Sequence, residues 1–167
     1  DASQANAVIS AVSLGVNNKD ILAVIAFKHL DFLIKNFDQD GDLIDPWEAL
    51  SANTVLSRQT RRPGVPRILK DTGQLRQSVN ISPQQGNQVS VGFNDVKAEW
   101  HHFGTKPYTI RPKGSGSLAF LTAAGTVFAR KVNHPGLPSR KLIPGTLKAE
   151  QLSEEAVDIY LKGLIRQ

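Results

Sequence analysis

The longest helical pattern in the chain begins at two asparagines, Asn17 and Asn18, which can cap a helix. Apolar residues then recur at spacings of three and four, in two stripes, as far as Phe37. A helix that is apolar on two sides is buried on two sides. The pattern therefore predicts a central helix from Asn18 to about Phe37, with His29 packed inside it and binding no ligand.

Alternating apolar and polar residues indicate a hairpin in the middle of the chain. Val89, Val91 and Phe93 alternate with polar residues. A preceding strand opens at Ile81, and the turn residues 84–87 lie between the two strands. Further strand candidates follow at 108–112, 118–120 and 127–132. Together these segments predict a mainly antiparallel sheet of four to five strands.

A short helix is predicted between the hairpin and the later strands. Val96, Trp100 and Phe103 lie at i, i+4 and i+7, which places them on one helical stripe. Gly104 is the expected stop, because glycine accepts a left-handed conformation without a steric cost. We expect the stripe to pack in the core, and His101 to be a polar anchor where the helix gives way to a strand.

Two further helices complete the pattern. Asp45 can cap a helix that starts at Pro46 and carries Trp47 on its inner face. The last amphipathic stretch predicts a helix over residues 147–166. The fold class is therefore α+β, with a mainly antiparallel sheet of four to five strands packed on the long N-terminal helix, short helices and a C-terminal helix.

The small, polar residues in front of the first helix predict an N-terminal arm over 1–18. Such an arm is either unstructured or becomes ordered against a neighbouring subunit. A chain of 167 residues is typical of one domain, which we place at 19–167 and which includes the C-terminal helix.

Composition narrows the chemistry that is available. The chain contains no cysteine, which excludes disulfides and thiolate catalysis. A net charge of +5 is a modest excess, which a solvated surface explains better than nucleic-acid binding does. The most apolar run, Ile21 to Ile34, is interrupted by charges and is too short to cross a membrane.

The segment after the first helix carries aspartates at alternate positions, Asp38, Asp40 and Asp42, as in the first half of a calcium loop. The glycine falls at the fourth position, Gly41, whereas a calcium loop needs it at the sixth. Ala49 stands where a bidentate glutamate is required. We therefore expect a surface turn and no metal.

The most basic segment, Arg58 to Arg67, contains two prolines and a glycine, which predict irregular structure. Aromatic residues are not interleaved with its charges, so any contact with nucleic acid would be electrostatic and independent of sequence. One function that stays open is therefore a sequence-nonspecific DNA-binding module that acts through residues 58–67.

Catalytic motifs are missing from the sequence. Consecutive histidines on a helix point about 100° apart, so His101 and His102 cannot easily share a metal. The Gly-Ser turn at 114–117 is not a nucleophile elbow. We expect neither enzyme activity nor a cofactor, and the rival hypothesis is a metal-dependent hydrolase built around His101 and Asp71.

Five short signatures occur in a fixed order along the chain. They are Pro46-Trp47, Ile68-Leu-x-x-Thr72-Gly73-x-Leu75-Arg76-x-Ser78, Val89-x-Val91-Gly92, Ala98-x-x-His101-x-Phe103-Gly104 and His134-Pro-Gly-x-Pro138-x-Arg140. Over roughly residues 19–145, this order resembles the phage virion-morphogenesis and tail-completion family, to which the G protein of phage Mu belongs. The motif residues that we expect to be structural are Trp47, Thr72, Gly73, Leu75, Arg76, Ser78, Trp100, His101, Phe103 and Gly104.

The resemblance implies a structural protein of the phage neck or tail end, present in the virion and, during assembly, in the host cytoplasm. It implies a homo-oligomeric ring, often a hexamer, between the head connector or adaptor and the tail tube or sheath. DNA would pass through the lumen without specific recognition. Two positions depart from the family pattern: Lys97 replaces a frequent tyrosine, and Lys141 replaces the usual proline. These two departures leave the implied fold unchanged. They leave undecided which position in the neck the protein would occupy.

A ring also needs loops that reach its neighbours. We expect opposite charges on the acidic and basic loops to pair between subunits and to fix their register. The interface residues that this hypothesis names are Asp38, Asp40, Asp42, Arg58, Arg61, Arg62, Arg67 and Arg140.

Overall fold

A computed structural model describes residues 18–83, 85–114, 116–122 and 124–165, so the predicted arm lies outside the described residues except for Asn18. Within them the architecture is α+β, as predicted. The helices are α1 (Asn18–Asp38), α2 (Ala52–Arg61), α3 (Gln74–Gln77), α4 (Lys97–Phe103) and α5 (Thr146–Ile165). The strands are β1 (Val79–Ile81), β2 (Val91–Phe93), β3 (Tyr108–Ile110), β4 (Leu118–Thr122), β5 (Gly125–Ala129) and β6 (Val132–His134).

In the described part of the chain, the strands form three two-stranded antiparallel sheets, whereas the sequence predicted one sheet of four to five strands. β1 pairs with β2, β3 with β6, and β4 with β5. Prolines 107 and 112 bracket β3, and Pro135 directly follows β6. Because proline cannot donate to a ladder, these ladders stay short and do not extend into a larger sheet.

The described residues group into two compact units. The first unit consists of residues 18–35, 79–94 and 143–165, which hold most of α1, the β1–β2 hairpin and α5. The second unit consists of residues 36–78 and 95–142, which hold α2, α3, α4 and the strands β3 to β6. The prediction of one domain over 19–167 stays a prediction.

The first unit is built on α1 and α5. Its buried apolar side chains are Ala26, Phe32, Leu33, Leu152 and Ala156. His29 Nε2 lies 3.0 Å from Ser153 Oγ, and Lys28 forms an ion pair with Glu155 at 2.9 Å. Burial lowers the pKa of His29. The predicted packed histidine is therefore confirmed.

The core of the second unit forms around Phe37, Trp47 and Leu142. The rings of Phe37 and Trp47 meet edge to face with centroids 5.0 Å apart. Trp47 Nε1 donates a hydrogen bond of 3.0 Å to the carbonyl oxygen of Lys141, and the buried Asn36 donates one of 3.4 Å to the same oxygen. Asn36, near the end of α1, and Trp47 therefore both bind the carbonyl oxygen of Lys141. These polar contacts lie within an apolar core.

The helix predicted to start at Pro46 does not form there. Residues 46–50 are irregular, and α2 begins at Ala52, after Ser51 Oγ accepts a hydrogen bond from the backbone nitrogen of Thr54 at 3.3 Å. The backbone nitrogen of Trp47 donates instead to the carbonyl oxygen of Asp40 at 2.9 Å. Trp47 thus closes the preceding turn and fills the core, so the helix is displaced by six residues.

Candidate functional site

α4 is a short helix with a defined start and end. It begins after Asp95, whose Oδ1 accepts a hydrogen bond of 2.9 Å from the backbone nitrogen of Lys97. It ends at Phe103, and Gly104 follows with φ 74°. A Cβ at Gly104 would lie 2.7 Å from the carbonyl oxygen of Leu137, so only glycine fits this left-handed position. The predicted helix and its glycine stop are confirmed.

Residues 136–142, which we call the strap, return alongside the end of α4. Gly136 has φ 98°, and a Cβ there would collide with the carbonyl oxygen of Thr105. Thr105 and Leu137 exchange two hydrogen bonds, one of 3.0 Å between backbone groups and one of 2.9 Å to the Thr105 hydroxyl. The backbone nitrogen of Arg140 donates to the carbonyl oxygen of His101 at 2.7 Å. The strap therefore satisfies carbonyl groups that the end of α4 leaves unpaired.

His102 binds the strap through its ring. Its Nδ1 accepts a hydrogen bond of 3.1 Å from the backbone nitrogen of Leu142, and its carbonyl oxygen accepts one of 2.8 Å from Ser139 Oγ. Burial and the nearby Lys141 lower the pKa of His102. Because Nδ1 accepts a hydrogen bond, it carries no proton. The imidazole is therefore neutral, and its proton lies on Nε2. This role was missed in the sequence, where His101 was chosen as the anchor.

His101 contacts the strap through its carbonyl oxygen, not through its ring. Its Nδ1 is buried and has no hydrogen-bond partner among the residues that the structure describes. Burial, Arg140 and Arg58 lower the pKa of His101, while Asp95 raises it. The ring is therefore held neutral among positive charges, and it supplies no proton donor or acceptor to the strap.

Arg140 is buried, with 6% of its surface exposed. Its Nε and Nη2 atoms donate to the carbonyl oxygen of Glu48 at 3.3 and 3.0 Å. Burial lowers its pKa. The sequence named Arg140 as an interface residue, and the structure places its side chain inside the second unit, where it ties the strap to the irregular segment before α2.

The opposite side of α4 carries exposed apolar side chains. Val96, Trp100 and Phe103 are 62%, 48% and 69% exposed. We call these three residues the apolar face. The sequence predicted them in the core, and that prediction is wrong, because α4 presents its polar side, with His102, to the strap. Lys141 Nζ lies 5.8 Å from the centroid of the Phe103 ring, so one cation lies beside that end of the apolar face.

The motif from Thr72 to Ser78 forms α3 and its flanks. Gly73 precedes the helix with φ 76°, and Thr72 Oγ1 accepts a hydrogen bond of 3.3 Å from the backbone nitrogen of Gln74. Leu75 is buried, and Ser78 Oγ donates to its carbonyl oxygen at 2.7 Å. These contacts give the motif residues structural roles.

The acidic turn pairs with cations of its own unit. Arg76 donates to both carboxylate oxygens of Asp38, at 3.1 and 2.9 Å. Lys70 lies 3.7 Å from Asp38 and 3.6 Å from Asp40, and Arg67 lies 3.5 Å from Asp40. The Arg76 hydrogen bond lowers the pKa of Asp38, and the same bond raises the pKa of Arg76. Pairing of these charges between subunits stays a prediction.

The basic segment is partly helical, because α2 continues through Arg61. Arg58 donates to the carbonyl oxygen of Arg67 at 2.7 Å, and Arg61 forms an ion pair with Asp71 at 3.2 Å. Arg62 donates to the carbonyl oxygen of Asp71. An open cleft of about 240 Å³ lies against this loop, and its lining includes the cations Arg58, Arg62, Arg67 and Lys70.

The described ranges, 18–83, 85–114, 116–122 and 124–165, contain no cluster of three or more histidine, aspartate or glutamate side chains that is able to hold a metal ion. None of the helices in these ranges combines the length and the apolar character needed to cross a membrane.

Comparison with known protein families gives a match over most of the chain. The model of the phage virion morphogenesis family matches residues 5–162, which is nearly the whole chain. No curated protein and no solved structure matches the chain significantly. The family resemblance seen in the short signatures is therefore confirmed, while the more specific likeness to the G protein of phage Mu stays a prediction.

Proposed function

Because this chain belongs to the phage virion morphogenesis family, we propose that it is a structural virion protein that completes the neck or tail end. In this proposal, copies of the chain form a ring, which we expect to be hexameric, between the head connector or adaptor and the tail tube or sheath. DNA passes through the lumen without specific recognition. The proposal assigns the chain no catalytic step and no cofactor.

The apolar face of α4 is the observation that supports assembly most directly. Trp100 and Phe103 are residue types that dominate protein–protein interfaces, and both are largely exposed. The helix that carries them is short, yet its end is fixed by hydrogen bonds to Ser139, Arg140 and Leu142. An apolar surface held in a fixed geometry is typical of a protein that is completed by a partner.

The test is the location of the protein in assembled particles. Mass spectrometry of purified virions should detect the chain, and immunogold labelling should place it at the head–tail junction in negatively stained images. Particles made without the chain should separate into heads and free tails. Absence of the chain from purified virions, or label distributed over the capsid, would overturn the proposal.

A second candidate function is a DNA-binding module that acts through residues 58–67. The observation that favours it is the cleft whose lining carries Arg58, Arg62, Arg67 and Lys70 but only one carboxylate, Asp71. It predicts a gel shift of any DNA duplex at low salt, which weakens steeply as salt rises. Arg67→Glu should abolish that shift, and equal mobility with and without the protein at low salt would remove this candidate.

A further inference from the structure

The strands β3 to β6 form one nested hairpin with two ladders. The first ladder, β3–β6, ends with the pair of Ile110 and Val132, and the second, β4–β5, begins with the pair of Leu118 and Ala129. Residues 111–117 connect the ladders on one chain of the hairpin, and residues 130–131 connect them on the other. The side chains of these two connections therefore gather at one place along the hairpin.

Four exposed cations lie at this place. Arg111 directly follows β3, and Lys113 lies two residues later. Arg130 and Lys131 are the two residues between β5 and β6. We call these four residues the basic junction. The Cα atoms of Arg111, Arg130 and Lys131 lie within roughly 10 Å of one another, as the spacing of consecutive residues and of paired strands requires.

The basic junction has no carboxylate partner among the described residues, since none of its four cations forms an ion pair there. Residues 100–149 contain eight lysines and arginines and no aspartate or glutamate, so all 15 acidic residues of the chain lie elsewhere. α2, which packs on β4, adds Arg58 and Arg61, which pair with Asp71. Like charges that are held close together repel one another, so a negatively charged partner would stabilise this surface.

One face of the β3–β6 ladder continues the basic junction with polar groups. Thr109 and Asn133 are paired across the ladder, and both are exposed. Arg111 and Lys131 lie two positions further along the same two chains, where the alternation of side chains returns to the same face. Thr109 Oγ1 donates to Asn133 Oδ1 at 3.1 Å, which leaves the NH2 group of Asn133 as a donor. This face therefore combines cations with neutral hydrogen-bonding groups.

Such a face fits a nucleic-acid backbone better than it fits a protein. Contacts to DNA phosphates come from arginine and lysine and also from threonine and asparagine side chains. The centre of a protein–protein interface is depleted of charged residues, whereas protein–DNA interfaces are more polar and far more positive. The face at Thr109 and Asn133 is polar at its centre and is bordered by positive charge.

We propose that the basic junction, together with Thr109 and Asn133, binds the phosphate backbone of duplex DNA without reading its sequence. This inference rests on the proposed function, in which DNA passes through the ring, and it names the surface that contacts that DNA. It differs from the second candidate function, which places the DNA contact at residues 58–67.

Fluorescence anisotropy tests the contact with labelled duplexes of two unrelated sequences. The wild-type protein should bind both duplexes equally, and its affinity should fall steeply with salt because phosphate contacts release counterions. Arg111→Gln/Lys131→Gln removes two such contacts. The slope of log Kd against log salt should therefore decrease by about 2, and Kd should rise roughly 10–100-fold at about 50 mM salt.

Two control variants remove the same charge elsewhere. Lys148→Gln/Lys162→Gln changes two exposed lysines of α5, and Arg62→Gln/Arg67→Gln changes the basic segment of the second candidate function. Both controls should bind DNA with nearly the wild-type slope. Circular dichroism should show that every variant is folded at the assay temperature.

The same assay distinguishes DNA from an acidic protein surface as the partner. Polyglutamate should compete for the basic junction less effectively than unlabelled duplex at the same concentration of negative charge. If polyglutamate displaces the labelled duplex more effectively, the junction binds acidic polypeptide and the inference is wrong.

The results also separate this inference from the proposed function. A wild-type protein that binds no duplex at low salt, or a junction variant that keeps the wild-type slope, overturns the DNA contact and leaves the proposed function standing. A reduced slope in the Arg62→Gln/Arg67→Gln variant alone also overturns it, because the contact then lies at residues 58–67. Absence of the chain from virions overturns the proposed function, whereas DNA binding by the purified protein is measured independently of virions.

Discussion

The two sides of α4 are built from opposite kinds of side chain, although they lie on one helix of seven residues. The side towards the strap is polar, and its hydrogen bonds run to Ser139, Arg140 and Leu142. The other side is apolar and exposed at Trp100 and Phe103. The difference teaches that apolar character alone does not identify the buried side of a short helix when backbone polar groups need partners.

Mutations on the two sides of α4 should have different effects, one on stability and the other on association. Changes on the strap side should lower stability, because they remove hydrogen bonds or introduce collisions between buried backbone segments. Changes on the apolar face should leave stability almost unaltered and should act on association.

The largest loss is expected for Gly136→Ala. The added Cβ would collide with the Thr105 carbonyl oxygen, at a φ of 98° that alanine rarely adopts. We expect the free energy of unfolding to fall by about 3 kcal/mol or more, measured by urea denaturation.

The control for this prediction is Gly163→Ala in α5, where an added Cβ meets nothing within 4 Å. That change should stabilise the protein, by up to about 1 kcal/mol, because alanine favours a helix. Equal effects of the two substitutions would show that the strap does not lie closely against the residues that follow α4.

A smaller loss is expected for His102→Ala, which leaves the buried Leu142 backbone nitrogen without its acceptor. The free energy of unfolding should fall by about 1–3 kcal/mol at pH 7. His102→Asn provides an acceptor close to the position of Nδ1 and should recover part of that loss. An asparagine variant as unstable as the alanine variant would argue against the ring–strap hydrogen bond.

Three partly buried histidines, two on α4 and one on α1 in the first unit, should also make stability depend on pH. The pKa values of His29, His101 and His102 are all lowered from the ordinary 6.5, chiefly by burial. The unfolded chain therefore binds protons more readily, so the stabilisation is complete above pH 6.5 and is lost as pH falls through the lowered values. Melting temperature should fall from pH 7.5 to pH 5, and His102→Asn should flatten that slope. A slope unchanged by the substitution would exclude His102 as a contributor.

The ion pair between Arg76 and Asp38 should contribute less than the buried contacts. Both groups are well exposed, so solvent screening should limit the loss in Arg76→Ala to about 1 kcal/mol or less. Asp38 has a lowered pKa, and its contribution should be present at neutral pH and lost as pH falls below its ordinary value of 3.8. In 1 M NaCl the variant and the wild type should converge in stability, and a loss that persists there would show that packing matters more than charge.

Several elements followed from local pattern alone. The limits of α1, the presence of the β1–β2 hairpin and the stop at Gly104 were each predicted from spacing and glycine placement, because neighbouring residues determine them. The first strand of the hairpin was predicted to open at Ile81, whereas β1 ends there. In α5, Leu152 and Ala156 are buried, while Ile159 is exposed.

The strap and the start of α2 depend on contacts between distant residues, which periodicity does not encode. His102 and Leu142 are 40 positions apart, and Trp47 and Lys141 are 94 apart. One sequence signal for the contact between the strap and the end of α4 was present. It was the occurrence of two motifs, one ending at Gly104 and one containing Gly136. Two glycines with positive φ are what two closely approaching backbone segments require.

The most direct test of the account compares native mass and melting temperature for wild type, Trp100→Glu and His102→Ala. We predict a closed multiple of the 18.2 kDa chain for the wild type. Trp100→Glu should be a monomer whose stability lies within about 0.5 kcal/mol of the wild type. His102→Ala should melt lower and still assemble below its melting temperature. A Trp100→Glu variant with the mass of the wild-type assembly would contradict the assignment of the apolar face to assembly.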